Sequence, residues 1–178
     1  VVWLLKWVLF RNMFGAGLIK LRGDDCWREL TCLDHHYETQ PMPNPLSWFA
    51  HHMPKWWHKI EVLGNHVTEV IVPFLYFAPQ PIAGIGALLT IGFQGWLMLT
   101  GNFSWLNFLT GILAVLLVPD SFFTVMIPTL EIPATSSLHP AQQGLIAVYT
   151  LVVLILSYYP AKNLFSSRQV MNTGFDPF

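Results

Sequence analysis

The chain has 178 residues and a formal net charge of -1; 53% of it is hydrophobic and only 11% charged, against about 25% charged in an ordinary soluble domain. That balance argues against a soluble enzyme, and the absence of a basic patch or arginine-rich arm removes the electrostatic case for nucleic-acid binding. Residues 70–119 are 50 consecutive positions without Asp, Glu, Lys or Arg, and residues 132–161 are another 30. As helix, the longer run would extend about 75 Å at about 1.5 Å per residue, while a hydrocarbon core is about 30 Å thick, so it holds two spans and a turn. The chain reads as an integral membrane protein, an all-α polytopic transmembrane helical bundle of about five spans.

Residues 1–21 predict the first, partial transmembrane helix, with Lys6, Arg11 and Lys20 set in an otherwise apolar stretch. Lys6 and Lys20 fall about 40° apart on a helical wheel, so one face can point into the bundle while the long cationic stems snorkel. These cations, and the lack of a small-residue cleavage site, speak against a signal peptide. Gly15 and Gly17 suggest close helix packing or a break. The apolar opening Val1-Val2-Trp3 and the closing residues 172–178, which read as a strand or loop barely begun, predict an internal fragment of a longer protein.

Residues 22–57 change character: charges, both cysteines, and Pro41, Pro43 and Pro45 within five positions, which forbid a regular helix there. Residues 46–58 crowd three Trp, a Phe and three His together, a density expected of an interfacial segment at headgroup level. Spans are expected at 58–78 and, as a tight hairpin across Gly101 and Asn102, at 82–119. A loop at 120–143 holds Pro128, Pro133 and Pro140, with room for a short interfacial piece. A fifth span covers 144–160, and 161–178 begins a truncated soluble C-terminal domain.

The most informative local feature lies in the 58–78 span. At about 100° per residue, His58, Glu61, Asn65, Thr68 and Glu69 share an arc of about 100°, and His66 lies beside it. Such a face does not look at lipid, because an unpaired charge in a membrane costs at least about 3 kcal/mol. Glu61 and His58 at the interface with interhelical hydrogen bonds below is one reading; a polar cavity with Lys20 or Arg22 as counter-charge is the other. Lys20 is a candidate buried cation, paired to Asp24, Glu61 or Glu69. Cys26 and Cys32, with His35 and His36 just beyond, fit a disulfide, a zinc site or two free thiols, although a zinc knuckle is usually tighter. Asn102-Phe103-Ser104 matches the glycosylation pattern, but its nearness to two span ends makes Asn102 a turn residue. No metal site, cofactor or catalytic residue is assigned.

Topology is ambiguous from charge alone. With alternating spans, Arg22, Arg28, Lys55, Lys162 and Arg168 share one side, which the positive-inside bias would make cytoplasmic, whereas a cysteine pair there suits an oxidising compartment.

Beyond these physical patterns, GAGLIKLRGDDCWRELTC at 15–32 and YETQPMPNP at 37–45 strongly resemble the lipase maturation factor family. So do His51-His52, WHK at 57–59, Asn65-His66 with Glu69, Pro73-Phe74, SWLN at 104–107 and QVMNTGFD at 169–176. The resemblance implies a multi-pass endoplasmic-reticulum membrane protein, or an inner-membrane one in a prokaryote, that assists folding and assembly of secreted lipases without catalysis of its own. Its implied partners are the lipid bilayer and secreted lipase clients. It also puts the 22–57 loop in the lumen, which favours the disulfide. A remoter likeness, AGLIKL at 16–21 with Asp25 and Trp27, is similar to the lysine-bearing segment of the vitamin K-dependent carboxylases. It implies an alternative, a membrane-embedded enzyme, although Ile19 stands where that family has the first of two lysines.

Overall fold

A computed structural model describes residues 2–103, 105–131 and 138–165. Outside them lie Ser104 of the glycosylation pattern, Pro133, Arg168, and the expected C-terminal segment beyond 165 with its 169–176 motif. Among the described residues every regular element is helical. Two compact units are present, one of residues 2–133 and one containing residues 134–178.

The first unit begins with α1 (Val2–Arg22), followed by the short helices α2 (Asp25–Arg28), α3 (Leu33–His36) and α4 (Ser47–His51). The proline-bearing stretch before α4 is non-helical, as missing N–H donors and ring clashes require. From Lys55 to Leu75 the chain is helical without a break: α5 (Lys55–His66), a π-helical turn (Val67–Ile71) and α6 (Val72–Leu75). The wide turn has a local cause. Pro73 cannot donate to the Glu69 carbonyl and its ring would clash with it, and the ladder opens immediately before, the Val72 N–H reaching back to the Val67 carbonyl. The hairpin α7 (Ile82–Thr100) and α8 (Leu106–Val115) follows, then α9 (Asp120–Met126).

The core has two parts. Leu9, Phe10, Met13, Val72, Tyr76, Ala87, Ala114 and Leu117 form the larger, where α1, α6, α7 and α8 meet. Leu33, Tyr37, Ala50 and Val62 form the smaller, beneath the loop helices. α1 crosses the π-helical turn closely at Gly17, where a Cβ would lie 2.7 Å from Val70 Cγ2 and 3.0 Å from Glu69 Cβ. Gly15 has open space around it, so of the two glycines only Gly17 serves packing. On the outside, Ile60, Leu63, Val67, Ile71 and Phe74 are exposed, while Asn65, Thr68 and Glu69 are buried. That inversion of the soluble pattern is the arrangement a lipid solvent imposes.

The second unit is described through α10 (Pro140–Leu164). Pro140 sits at its first turn, and His139 and Gln142 close a reciprocal capping box.

Among the described residues three helices are long and apolar enough to cross a membrane: Val2–Arg22, Ile82–Thr100 and Pro140–Asn163. Leu106–Val115 and Asp120–Met126, bent by 95° at their break, make a fourth if they form one broken span. The unbroken run from Lys55 to Leu75, about 30 Å at about 1.5 Å per residue, agrees with about five spans in all. Two boundaries differ from expectation. The helix inside 102–119 is only 10 residues, because the chain is extended at Gly101 and turns before Pro119. α10 starts at Pro140 and passes through Pro160, since its histidine-based cap lies outside the usual Ser/Thr signature.

Candidate functional site

Lys20, at the last turn of α1, reaches across to the π-helical turn. Its Nζ donates to Glu69 Oε1 at 2.7 Å and to Asn65 Oδ1 at 2.8 Å, while Asn65 Nδ2 donates to Glu69 Oε2 at 3.2 Å. The Glu69 side chain is 5% exposed and that of Lys20 23%. Trp27 covers the ammonium, its ring centroid 5.0 Å from Nζ. Of the three acidic partners expected for Lys20, the fold selects Glu69. The Gly17 crossing makes this reach available by bringing α1 against the turn that carries Glu69.

Glu61 belongs to a second cluster, one turn before Asn65. Trp96 Nε1 donates to its Oε1 at 2.9 Å, and the Tyr37 hydroxyl lies 3.3 Å from both carboxylate oxygens. Burial first, and the Glu61 charge second, push the Tyr37 phenol well above its ordinary pKa, so it stays a neutral donor. His36 beside it is pushed down from 6.5, first by burial and then by the Lys20 charge.

The remaining predicted stripe residues separate. His58 is buried under the loop, with Nε2 donating to the Ala50 carbonyl at 3.0 Å and Nδ1 3.2 Å from Asp34 Oδ1. His66 turns aside and its Nε2 donates to the Trp27 carbonyl at 2.9 Å. Thr68 is buried beside Glu69. The arc read from the helical wheel therefore faces the protein interior, but its members serve two structural tasks. Asn65 and Glu69 hold α1, whereas His58 and Glu61 anchor the loop and α7.

Cys26 and Cys32 form a disulfide between α2 and the residue preceding α3. Both sulfurs are thereby withdrawn from metal ligation, and among the described residues no group of three or more His, Cys, Asp or Glu is arranged to hold a metal. Within the bridged loop, Leu30 stands at φ 59°, the left-handed region that a branched side chain rarely adopts. Leu30 packs on the smaller core.

Several residues that matter here escaped the sequence reading. Asn44, inside the proline-rich stretch, caps the end of α7: its Nδ2 lies within 3.1 Å of the carbonyls of Met98, Leu99 and Gly101, and Ser47 Oγ donates to the Thr100 carbonyl at 2.7 Å. Such contacts satisfy the carbonyls left over at a helix end. Asn12 on α1 donates to Thr110 on α8, and Gln94 on α7 donates to Met13 on α1. Isolated amides in otherwise apolar spans were the available signal, since a polar side chain in lipid seeks a partner.

This geometry defines a helical membrane domain with a polar interior, tied at one end to a disulfide-closed loop. Residues 1–125 match the family described as "Lipase maturation factor transmembrane domain". Lipase maturation factor 1 of Homo sapiens is 41% identical over 193 residues, covering 99% of this chain and 34% of that protein; the Mus musculus counterpart is 39% identical over 196. Lipase maturation factor 2 of Homo sapiens is 41% identical over 120 residues, covering 66% of this chain and 17% of that protein. No solved structure matches. The chain belongs to the lipase maturation factor family, and it spans about a third of the length of the first of these relatives.

Proposed function

We propose that the protein containing this chain is an endoplasmic-reticulum membrane maturation factor that assists folding and assembly of secreted lipases, and that this segment is its membrane scaffold. Family membership carries the reading: the relatives that cover nearly the whole chain bear the name lipase maturation factor. The disulfide adds support, because such bonds persist in oxidising compartments and are rare in the cytosol. In this reading residues 22–57 form a lumenal loop with an aromatic collar at the interface, where Trp48, Phe49 and Trp56 are exposed. The spans at 58–78 and 82–119 hold that loop in place, and 144–160 supplies a further span. The role is non-catalytic. The carboxylase-like alternative is not favoured, because Ile19 is an exposed apolar side chain and Lys20 is committed to Glu69 and Asn65.

The test is restoration of lipase output. Cells lacking an endogenous family member but expressing a secreted lipase should release active, assembled enzyme when given the full-length protein. Release of inactive, aggregated lipase despite normal expression of the factor would overturn the reading.

A further inference from the structure

Between α1, α7, α8 and the loop helices lies a cavity of about 270 Å³, bordered on one side by the Lys20–Glu69–Asn65 cluster and on another by Glu61. Its volume sits at the lower edge of the roughly 300–1,000 Å³ usual for small-molecule sites. Most of the wall is apolar, with Met13, Ala16, Leu33, Phe93, Leu97 and Leu106 contributing. Four amides also line it, Asn12, Asn65, Gln94 and Asn107, and two of them are left with unmet polar atoms. Gln94 and Asn107 are each only 5% exposed, and Gln94 Oε1 and Asn107 Nδ2 have no hydrogen-bond partner among the described residues. Leaving a buried polar atom unmade costs about 1–3 kcal/mol, and the two atoms are of opposite sense, one an acceptor and one a donor.

We propose that this cavity binds a neutral, hydroxyl-bearing membrane amphiphile, a lipid alcohol whose chain lies on the apolar wall and whose hydroxyl serves the buried amides. The chemistry selects the head group. A hydroxyl both donates, as Gln94 Oε1 requires, and accepts, as Asn107 Nδ2 requires. An ionised carboxylate has no proton to donate to Gln94, and an ammonium has no lone pair for Asn107. Charge points the same way: Lys20 is already neutralised by Glu69, and Glu61 adds a second carboxylate to the wall, so an anionic head finds no free cation. The proposal goes beyond lipase maturation and does not depend on it.

The experiment photolabels the full-length protein in nanodiscs with a long-chain alcohol carrying a diazirine and an alkyne, alongside the acid and the amine of the same chain. Saturable labelling by the alcohol is expected on peptides from α1, α7 and α8, displaced by unlabelled alcohol and not by the acid or amine. Gln94→Leu and Asn107→Leu should each weaken labelling about two- to tenfold, as loss of one hydrogen bond implies. Ala16→Phe, filling the cavity from α1, should abolish it, with gel filtration of every variant checking that it remains monodisperse. Absence of saturable labelling, equal labelling by the acid, or undiminished labelling of both monodisperse leucine variants would overturn the proposal. None of these readouts involves lipase output, so failure here is distinct from failure of the maturation role.

Discussion

Lys20 on α1 supplies an ammonium to Glu69 and Asn65, and these contacts join α1 to the π-helical turn. Breaking such a pair leaves a charge uncompensated, which costs about 3–5 kcal/mol, whereas replacing both partners by apolar groups is far milder. Lys20→Met alone should therefore lower the thermal midpoint in detergent much more than Lys20→Met combined with Glu69→Leu; equal losses would mean that the pair contributes through packing only. His36 supplies a pH effect. Its lowered pKa means that the folded protein keeps the ring neutral where the unfolded chain already takes up a proton. Its contribution is thus fully present above about pH 6.5 and is lost as pH falls through that value toward the folded pKa. Comparing denaturation midpoints at pH 7.5 and about pH 5.5, His36→Gln should show a smaller drop than the parent; an identical drop would remove His36 as a cause.

At the scale of elements, the contact between α1 and the π-helical turn decides whether the polar residues meet at all. A side chain at Gly17 would press on Val70 and on Glu69 itself, whereas Gly15 faces open space. Gly17→Leu should destabilise by about 1–3 kcal/mol or more, as overpacking does, while Gly15→Ala should be neutral or stabilising by roughly 0.5–1 kcal/mol through helix propensity. Thermal melts of the two variants side by side check this, and matching behaviour would refute the close crossing. The π turn follows the same logic: Pro73 was visible in the sequence, but a helical wheel of constant pitch could not anticipate that widening the ladder before it would aim Glu69 at Lys20. The wheel also grouped His58 and Glu61 with Asn65 and Glu69, although the fold gives them different partners.

For the whole molecule, the disulfide and the disposition of the loop make the sharpest prediction. In intact microsomes the peptide holding Cys26 and Cys32 should take up maleimide only after reduction, and a membrane-impermeant maleimide should then reach it only once the membrane is opened. Full labelling before reduction would remove the bridge, and labelling from outside sealed microsomes would reverse the proposed orientation.

The solvent, the helical class, the approximate number of spans and the family were all legible in the residues. Long charge-free runs dictate burial in lipid whatever the packing, and the few charged positions are distinctive enough to mark a family. On 58–78, His58, Asn65, Thr68 and Glu69 are buried while Ile60, Leu63, Val67, Ile71 and Phe74 are exposed. Partner choice was not legible: Lys20 had three acidic candidates within reach in sequence terms, and only the crossing at Gly17 selects Glu69. Nor could any one-dimensional pattern show that Asn44 caps α7 or that Gln94 and Asn107 line one cavity. Those relations join residues about fifty or more positions apart, or residues on separate helices, and distance along the chain carries no information about them until the helices have packed.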